Sequence, residues 1–436
     1  MAAGIQNSQA FYQTFYDDQA MQWLIPDNLP FLNMVPKADG LSGDVIDHAF
    51  LYGPAQGYSA DFNTAATQAG NTSRAVRATL RCSQAYSMVE FFDKDRELSL
   101  GDSAYMDLVE PIMTGKILDF NNQMDLDLHA GGTGWRGTVG AIAGQTNPIN
   151  NATLGVNQVY ILPGYGLEAV FNQDQQIQAA TWTGFPLAGT IFPPNDGRLP
   201  TTLSSPVQIQ AIDPVNRVLT LSDASAFTAN SFVVQSGGAI GFNASNTYGG
   251  LIGLDAWTPY APNGISTTDN FCGVNRSTYG TRLAGYSKDL SRYSVEDAIK
   301  RLSAIMSQGG ARTSNVCFLN PLDFDALDSK MMTNTRYSSV TTATHGFDTI
   351  VVNGAAGRID CVPDPHQLQG YFRLCDMSTY LLRHKRSIPH IVSVEDRQME
   401  QALNFDGRTA RLRMYAQLCC MAPHKNGIGK LAAISV

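Results

Sequence analysis

Charge is scarce in this sequence. Of its 436 residues only 16% are Asp, Glu, Lys or Arg, against roughly 25% in an ordinary soluble domain. A surface so poor in charge leaves area for protein contacts. The 30 Lys and Arg are outnumbered by 38 Asp and Glu, giving a net charge of −8. That argues against a protein that wraps nucleic acid by neutralising phosphates, which needs a broad basic face. The basic cluster Arg383, Lys385 and Arg386 is local. Long apolar runs are missing too: none approaches the roughly 18 residues of a membrane span. The opening MAAGIQNSQAFYQTFYDD lacks the basic stretch followed by an apolar one that marks a signal peptide. Cysteine is sparse and unpatterned. The seven residues at 82, 272, 317, 361, 375, 419 and 420 form neither a disulfide framework nor a CxxC zinc pair. Adjacent on a strand, Cys419 and Cys420 point to opposite faces. The expectation is a chain that folds in a reducing cytosol and meets no membrane.

Length and pattern are what the chain offers. At 436 residues it exceeds the roughly 250–300 at which a single core stops growing, so several domains are expected. Residues 1–40 hold Pro26, Pro30 and Pro36 and no sustained period, which reads as an arm lying on something else. Within residues 41–92, Val45–Gly53 and Ser73–Phe92 read as strands. In the second, Val76, Ala78, Leu80 and Cys82 alternate with Arg77, Thr79, Arg81 and Ser83. Between them lies a polar tip, predicted to be without structure. The result is a two-stranded finger, and an isolated hairpin is marginally stable at best. A neighbouring subunit is the economical surface for it.

Residues 93–130 carry a long helix. Asp102 or Ser103 is its N-cap, Pro111 is expected to kink or divide it, and Gly131 and Gly132 end it. From 131 to 250 Gly, Pro, Asn, Gln and Thr dominate. VQIQAIDPVNRVLTLSD reads as a hairpin across Asp213 to Asn216, and NSFVVQSGG as another strand, giving an inserted β-rich domain. Residues 251–385 return to a mixed pattern. SVEDAIKRLSAIMSQGG shows Ser294 as N-cap, Asp297 at the capping-box position, Val295, Ala298, Ile299, Leu302 and Ile305 on one face, and Gly309–Gly310 as the stop. NVCFLN is a buried strand, FDTIVVNG and GRIDCVPD a strand pair, and YFRLCDM a further strand. In residues 386–436 Asp406–Gly407 reads as a hairpin turn, and RTARLRMYAQLCC alternates Ala410, Leu412, Met414, Ala416 and Leu418 against a polar face. Helices mixed with antiparallel strands in this order make the class α+β.

Clusters that suggest chemistry have plainer readings. Gly132, Gly134 and Gly137 match GxGxxG, but a dinucleotide loop joins a strand to a helix, and this one leaves a helix for a strand. GDSAY at 101–105 lacks the second glycine of a nucleophile elbow. Asp125 and His129 stand one helical turn apart and have the geometry to share a metal; with Asp127 they read more simply as the polar, exposed end of a helix. His48, His345, His366, His384, His390 and His424 have no partner at HxxxH or HxH spacing. Asp323, Asp325 and Asp328 in FLNPLDFDALDSK are dense enough for a metal. They fail the calcium-loop pattern, which needs a glycine at its sixth position and an acid at its twelfth, where Asp328 and Asn334 stand. A strand-to-helix junction fits better: Asn320 caps, Pro321 takes the first helical position, and the acids meet the positive end of the helix dipole. No catalytic, cofactor-binding or metal-ligating residue is expected, and the chain reads as non-enzymatic.

The order of arm, finger, FDKDRELSLGDSAYMDLVEPIMTGKILDFNNQMDLDLHAGG, GLIGLDAW, Ser-capped helix, VCFLNPLDFDAL and a strand-rich end closing in LCCMAPHKNGIGKL resembles the major capsid proteins of tailed bacteriophages with the Hong Kong 97-type fold. The resemblance covers the chain outside 131–250. It implies an N-terminal arm (1–40), an extended loop (41–92), a peripheral-domain spine helix (93–130), an axial domain (251–385) and strands returning to the peripheral domain (386–436). It also implies hexamers and pentamers of an icosahedral shell around packaged double-stranded DNA, with portal and scaffolding proteins as partners. The insert is outside the minimal fold and is expected to project as a knob or a docking site for a decoration protein. Two other readings are a compartment shell of encapsulin type, which the insert disfavours, and a β-rich metal-dependent hydrolase or glycan-binding protein using Asp323 and Asp325.

Overall fold

In the computed structural model the described residues are 29–92, 94, 109–141, 154–181, 202–236, 250–333, 349–391, 400–401 and 406–432, less positions 42, 44, 55–56, 69–72, 133, 230, 268, 312–314, 356 and 387. The class is α+β, as the element order predicts. The chain forms two compact units. The smaller takes its described residues from Tyr86–Asn121 and Pro389–Arg413, and the larger spans Asn28–Ala85, Asn122–Ile388 and Met414–Val436.

The larger unit is built on a six-stranded mixed sheet. Its spatial order is Tyr286–Asp289, Gly427–Lys430, Tyr371–Cys375, Val316–Leu319, Gly357–Pro363 and Ile350–Gly354. Val316–Leu319 is buried on both faces, which is why VCFL carries no polar alternation. Cys317 and Leu319 pack with Ala298, Ile299, Leu302, Met306 and Leu327 of the helices Val295–Gln308 and Pro321–Thr333. Phe318 faces the opposite way and meets the Phe31 ring edge-on, with centroids 5.4 Å apart. The first of these helices starts as predicted. Ser294 Oγ accepts the Asp297 N–H at 3.4 Å and donates to Asp297 Oδ2 at 2.8 Å. Ile305, expected on the apolar stripe, is half-buried, and Met306 takes the core position instead.

Residues 29–41, expected as part of an arm, lie on this same unit. Leu29, Phe31, Leu32 and Val35 are buried, and Lys37–Asp39 pairs in parallel with Tyr380–His384. The remainder of the predicted arm lies outside the described residues.

The finger is observed. Val45–Gly53 and Arg74–Arg81 pair antiparallel with each other and, among the described residues, with no third strand. Two details correct the sequence reading. The tip contains a helix, Phe62–Gln68, started by Asp61, whose Oδ2 accepts the Thr64 N–H at 2.8 Å. The predicted 73–92 strand is two, Arg74–Arg81 and Ser83–Phe92. From Tyr86 the second belongs to the smaller unit, where Val89, Phe91 and Ala410 pack with Ile112 and Met113.

The long helix is Val109–His129, 21 residues or about 31 Å. Its predicted N-cap, Asp102 or Ser103, lies outside the described residues. Pro111, expected to kink or divide it, does not divide it: the described helix runs unbroken from Val109 to His129.

The insertion closes on itself. Phe232–Gln235, Trp135–Ala141, Gln158–Ile161, Val218–Leu221, Val207–Asp213 and Gln176–Thr181 pair in that order, and the last pairs back with the first. This is a six-stranded antiparallel barrel with Thr202–Leu203 added beside Gln176–Thr181. The predicted hairpin is present: Val218 opposes Asp213, and Asp213 Oδ1 accepts the Asn216 N–H at 3.0 Å. The barrel core of Val139, Ile161, Phe171, Ile177, Leu219 and Phe232 is continuous with Leu126, Leu368, Tyr371 and Ile428. Where the chain leaves the barrel it touches its own point of entry, Gly250 lying against the Gly132 carbonyl.

The strand Gly407–Cys420 alternates as read, with Ala410, Leu412, Met414, Ala416 and Leu418 buried. Its polar face ends at Gln417, which is fully buried. There Gln417 Oε1 accepts the Ile252 N–H at 2.8 Å and Nε2 donates to the Arg81 carbonyl at 2.7 Å. Asp406–Gly407 is not a two-residue turn. Gln401 pairs with Arg408, so the connection runs from 402 to 407, with 402–405 outside the described residues.

Candidate functional site

Assembly would use surface, and the finger supplies it. Its period-2 backbone sends Ile46, His48 and Phe50 to one face, opposite Leu80, Ala78 and Val76. That face lies on the chain itself: Phe50 meets Trp257 at 6.3 Å between centroids, Tyr52 approaches Tyr279 at 6.4 Å, and the Thr79 N–H donates to the Cys272 carbonyl at 3.0 Å. The other face carries Val45, Ala49 and Leu51 beside Ala75, crossed by the ion pair Asp47–Arg77 at 2.7 Å. Leu51 is 77% exposed and Val45 44%. At the tip Tyr58 is 100% exposed and Phe62 84%, and the helix that begins at Phe62 buries no residue. Large exposed apolar groups gathered on one element mark an interaction surface. In the smaller unit Tyr86 and Met88 are exposed as well.

The predicted clusters resolve differently. Asp323, Asp325 and Asp328 do not converge. Asp323 is buried, Asp325 exposed and Asp328 half-buried on the helix, so the hydrolase reading based on Asp323 and Asp325 loses its site. The capping role belongs to Asn320, whose Oδ1 accepts the Leu322 N–H at 3.1 Å. Asp323 instead accepts the Gly370 N–H at 2.8 Å, and burial raises its pKa to about 6 against the smaller opposing effect of that bond.

Asp125 and His129 are the larger correction. They are not an exposed helix end; both are fully buried. The helix turns them toward Asp364 and His366, in the loop that follows the strand Gly357–Pro363. His366 Nδ1 lies 2.6 Å from Asp125 Oδ2, and His129 Nε2 lies 3.1 Å from Asp364 Oδ2 and 3.8 Å from Asp125 Oδ2. The outer carboxylate oxygens are tied to backbone: Asp125 Oδ1 accepts the Leu32 N–H at 3.0 Å and Asp364 Oδ1 the His366 N–H at 2.9 Å. Burial pulls the His129 pKa down, but Asp364 and then Asp125 outweigh it, and the net shift is upward. For Asp364 burial acts upward and His129, with His366, brings the net shift down. Asp127, on the far side of the helix, pairs with the buried Arg136 at 2.7 Å. No spacing in the sequence links Asp125 to His366, 241 positions away. Gly132 and Gly134 adopt positive φ between the helix Val109–His129 and the strand Trp135–Ala141, so the run does not open a helix as a phosphate loop does.

No helix among the described residues is long and apolar enough to cross a membrane. No family model matches the sequence, and no curated protein matches it. Among solved structures the chain is similar to the capsid asymmetric unit of cyanophage A-1(L), at 10% identity over 97% of this chain and 98% of that one, with a TM-score of 0.49. It is similar to the capsid of an empty GTA particle at 8% identity over 95% and 100% of the two chains, with a TM-score of 0.46. A third similar structure is the holo-SrpI encapsulin complex from Synechococcus elongatus PCC 7942, at 7% identity over 99% and 97%, with a TM-score of 0.42.

Proposed function

We propose that this chain is a self-assembling shell subunit, a major capsid protein of Hong Kong 97 type. It forms hexamers and pentamers of an icosahedral head around packaged double-stranded DNA, and its place is the virion, after assembly in the cytoplasm of a bacterial host. The observation that carries this reading is the finger: two strands with no third among the described residues, one face on the chain's own body, the other exposing Val45 and Leu51, and a tip exposing Tyr58 and Phe62. Covering such a face removes apolar area from water, and in a symmetric assembly another copy of the chain does so repeatedly. The succession of finger, long helix, mixed sheet and returning strand supports the same reading.

The role is structural and not enzymatic. Packaged DNA faces the inner surface without sequence-specific contacts, and the net charge of −8 fits a shell that encloses DNA without wrapping it through a broad basic face. Portal and scaffolding proteins complete the assembly, and the barrel is a candidate seat for a decoration protein.

Size-exclusion chromatography and negative-stain microscopy of the purified chain test this. Shells, hexamers or pentamers are expected. A monomer that stays monomeric across concentration and salt would overturn it. An encapsulin-type compartment would give closed shells with packaged protein and no need of a portal, which co-expression with and without the phage assembly partners distinguishes.

A further inference from the structure

We propose that Asp125, Asp364, His366 and His129 form a buried structural site for one divalent transition-metal ion of the zinc class, taken up as the chain folds. Asp125, Asp364 and His366 each present a ligand atom, and these atoms lie within 4.8 Å of one another. His129 Nε2 joins them at 3.1 and 3.8 Å from the two carboxylates. Four donors around a zinc-sized ion at bond lengths of about 2.0–2.1 Å stand about 3.3 Å apart. Three of the six donor separations, 2.6, 3.1 and 3.8 Å, bracket that value, and Asp125, Asp364 and His366 lie within 4.8 Å of one another; an ion would have to part His366 from Asp125, now in hydrogen-bond contact.

The orientation of each carboxylate supports the assignment. Oδ1 of Asp125 is held by the Leu32 N–H and Oδ1 of Asp364 by the His366 N–H, which leaves Oδ2 of both turned inward. Outer contacts of this kind orient metal ligands. Charge points the same way. Two carboxylates are enclosed here, while the nearby buried Arg373 is engaged by Asp255 and by oxygens of Leu254 and Thr258. In the structure His366 Nδ1 meets Asp125 Oδ2 at 2.6 Å and His129 Nε2 meets Asp364 Oδ2 at 3.1 Å; one divalent cation would bind all four of these atoms at once. Two imidazole nitrogens and two carboxylate oxygens suit the zinc class better than calcium or magnesium, which take six or more oxygens. The site is sealed from solvent, so the ion's work is to join the end of the long helix, the 364–366 loop and, through Leu32, the 29–41 segment.

The test is independent of assembly. Protein from zinc-replete cells is expected to hold one zinc ion per chain by mass spectrometry of the metal content. Cobalt-grown protein is expected to show the ligand-field bands of tetrahedral cobalt. Both signals should disappear in His366→Gln and Asp364→Asn and persist in His384→Gln, outside the cluster. If the cluster variants fail to fold, wild-type protein decides: chains from zinc-depleted cultures should melt several degrees below zinc-replete ones. Wild-type protein without stoichiometric transition metal, equal melting from both cultures, or zinc retained by folded cluster variants would each overturn the proposal.

Discussion

The carboxylate of Asp323 accepts the backbone N–H of Gly370 at 2.8 Å, across 47 residues of chain. Its other oxygen is buried without a partner, and burial lifts the folded-state pKa to about 6 from an ordinary 3.8. The protonated form is therefore the one the fold favours. Its contribution is complete below about pH 4 and is lost as pH rises through about 6. Asp323→Asn cannot ionise, so its stability relative to wild type should improve by on the order of 2 kcal/mol between pH 4 and pH 8. Denaturant melts at the two pH values measure this. An unchanged difference between variant and wild type would refute the assignment.

Leu51 and Phe62 are exposed within the single chain, so replacing them should cost the isolated subunit no more than about 0.5 kcal/mol. Leu51→Asp with Phe62→Asp should abolish assembly while leaving the subunit's melting temperature in place. Sizing and thermal melts of the same preparation separate the two effects.

Gln417 joins three backbone groups that are otherwise enclosed: the N–H groups of Ile252 and Leu418 and the Arg81 carbonyl. Gln417→Leu preserves volume and removes every one of these bonds, so a loss of about 2–4 kcal/mol is expected by chemical denaturation.

Gly253 is pressed against the last turn of the long helix, where a Cβ would fall inside van der Waals contact with the carbonyl oxygens of Asp127, Leu128 and Ala130. Backbone cannot yield as a side chain does. Gly253→Ala should destabilise by at least about 3 kcal/mol, read from the same denaturation experiment.

Local rules made much of this fold legible. Ser294 with Asp297, Asn320 with Pro321, and the alternation from Ala410 to Leu418 each state an element in a few neighbouring residues, and each is observed. What escaped depends on distant pairing. Barrel closure rests on Phe232–Gln235 meeting both Trp135–Ala141 and Gln176–Thr181, and no local period encodes that. The polar pattern around Asp125, Asp127 and His129 reads as a wet helix end because sequence cannot show that Asp364, 235 positions beyond His129, arrives to bury it. Gln417 misled for the same reason: its bonding partners come from residues 81 and 252.

Since Gly250 returns to the Gly132 carbonyl, the barrel is a detour that begins and ends at one place on the main chain. A closed ring of strands offers no unpaired edge to its surroundings, and a detour with touching ends asks the rest of the backbone for no extra span. Such an arrangement behaves as a cassette. Its loops can lengthen while the strands that share a core with Leu126, Leu368, Tyr371 and Ile428 keep their places. Variety in the barrel loops thus accumulates on an unchanging scaffold.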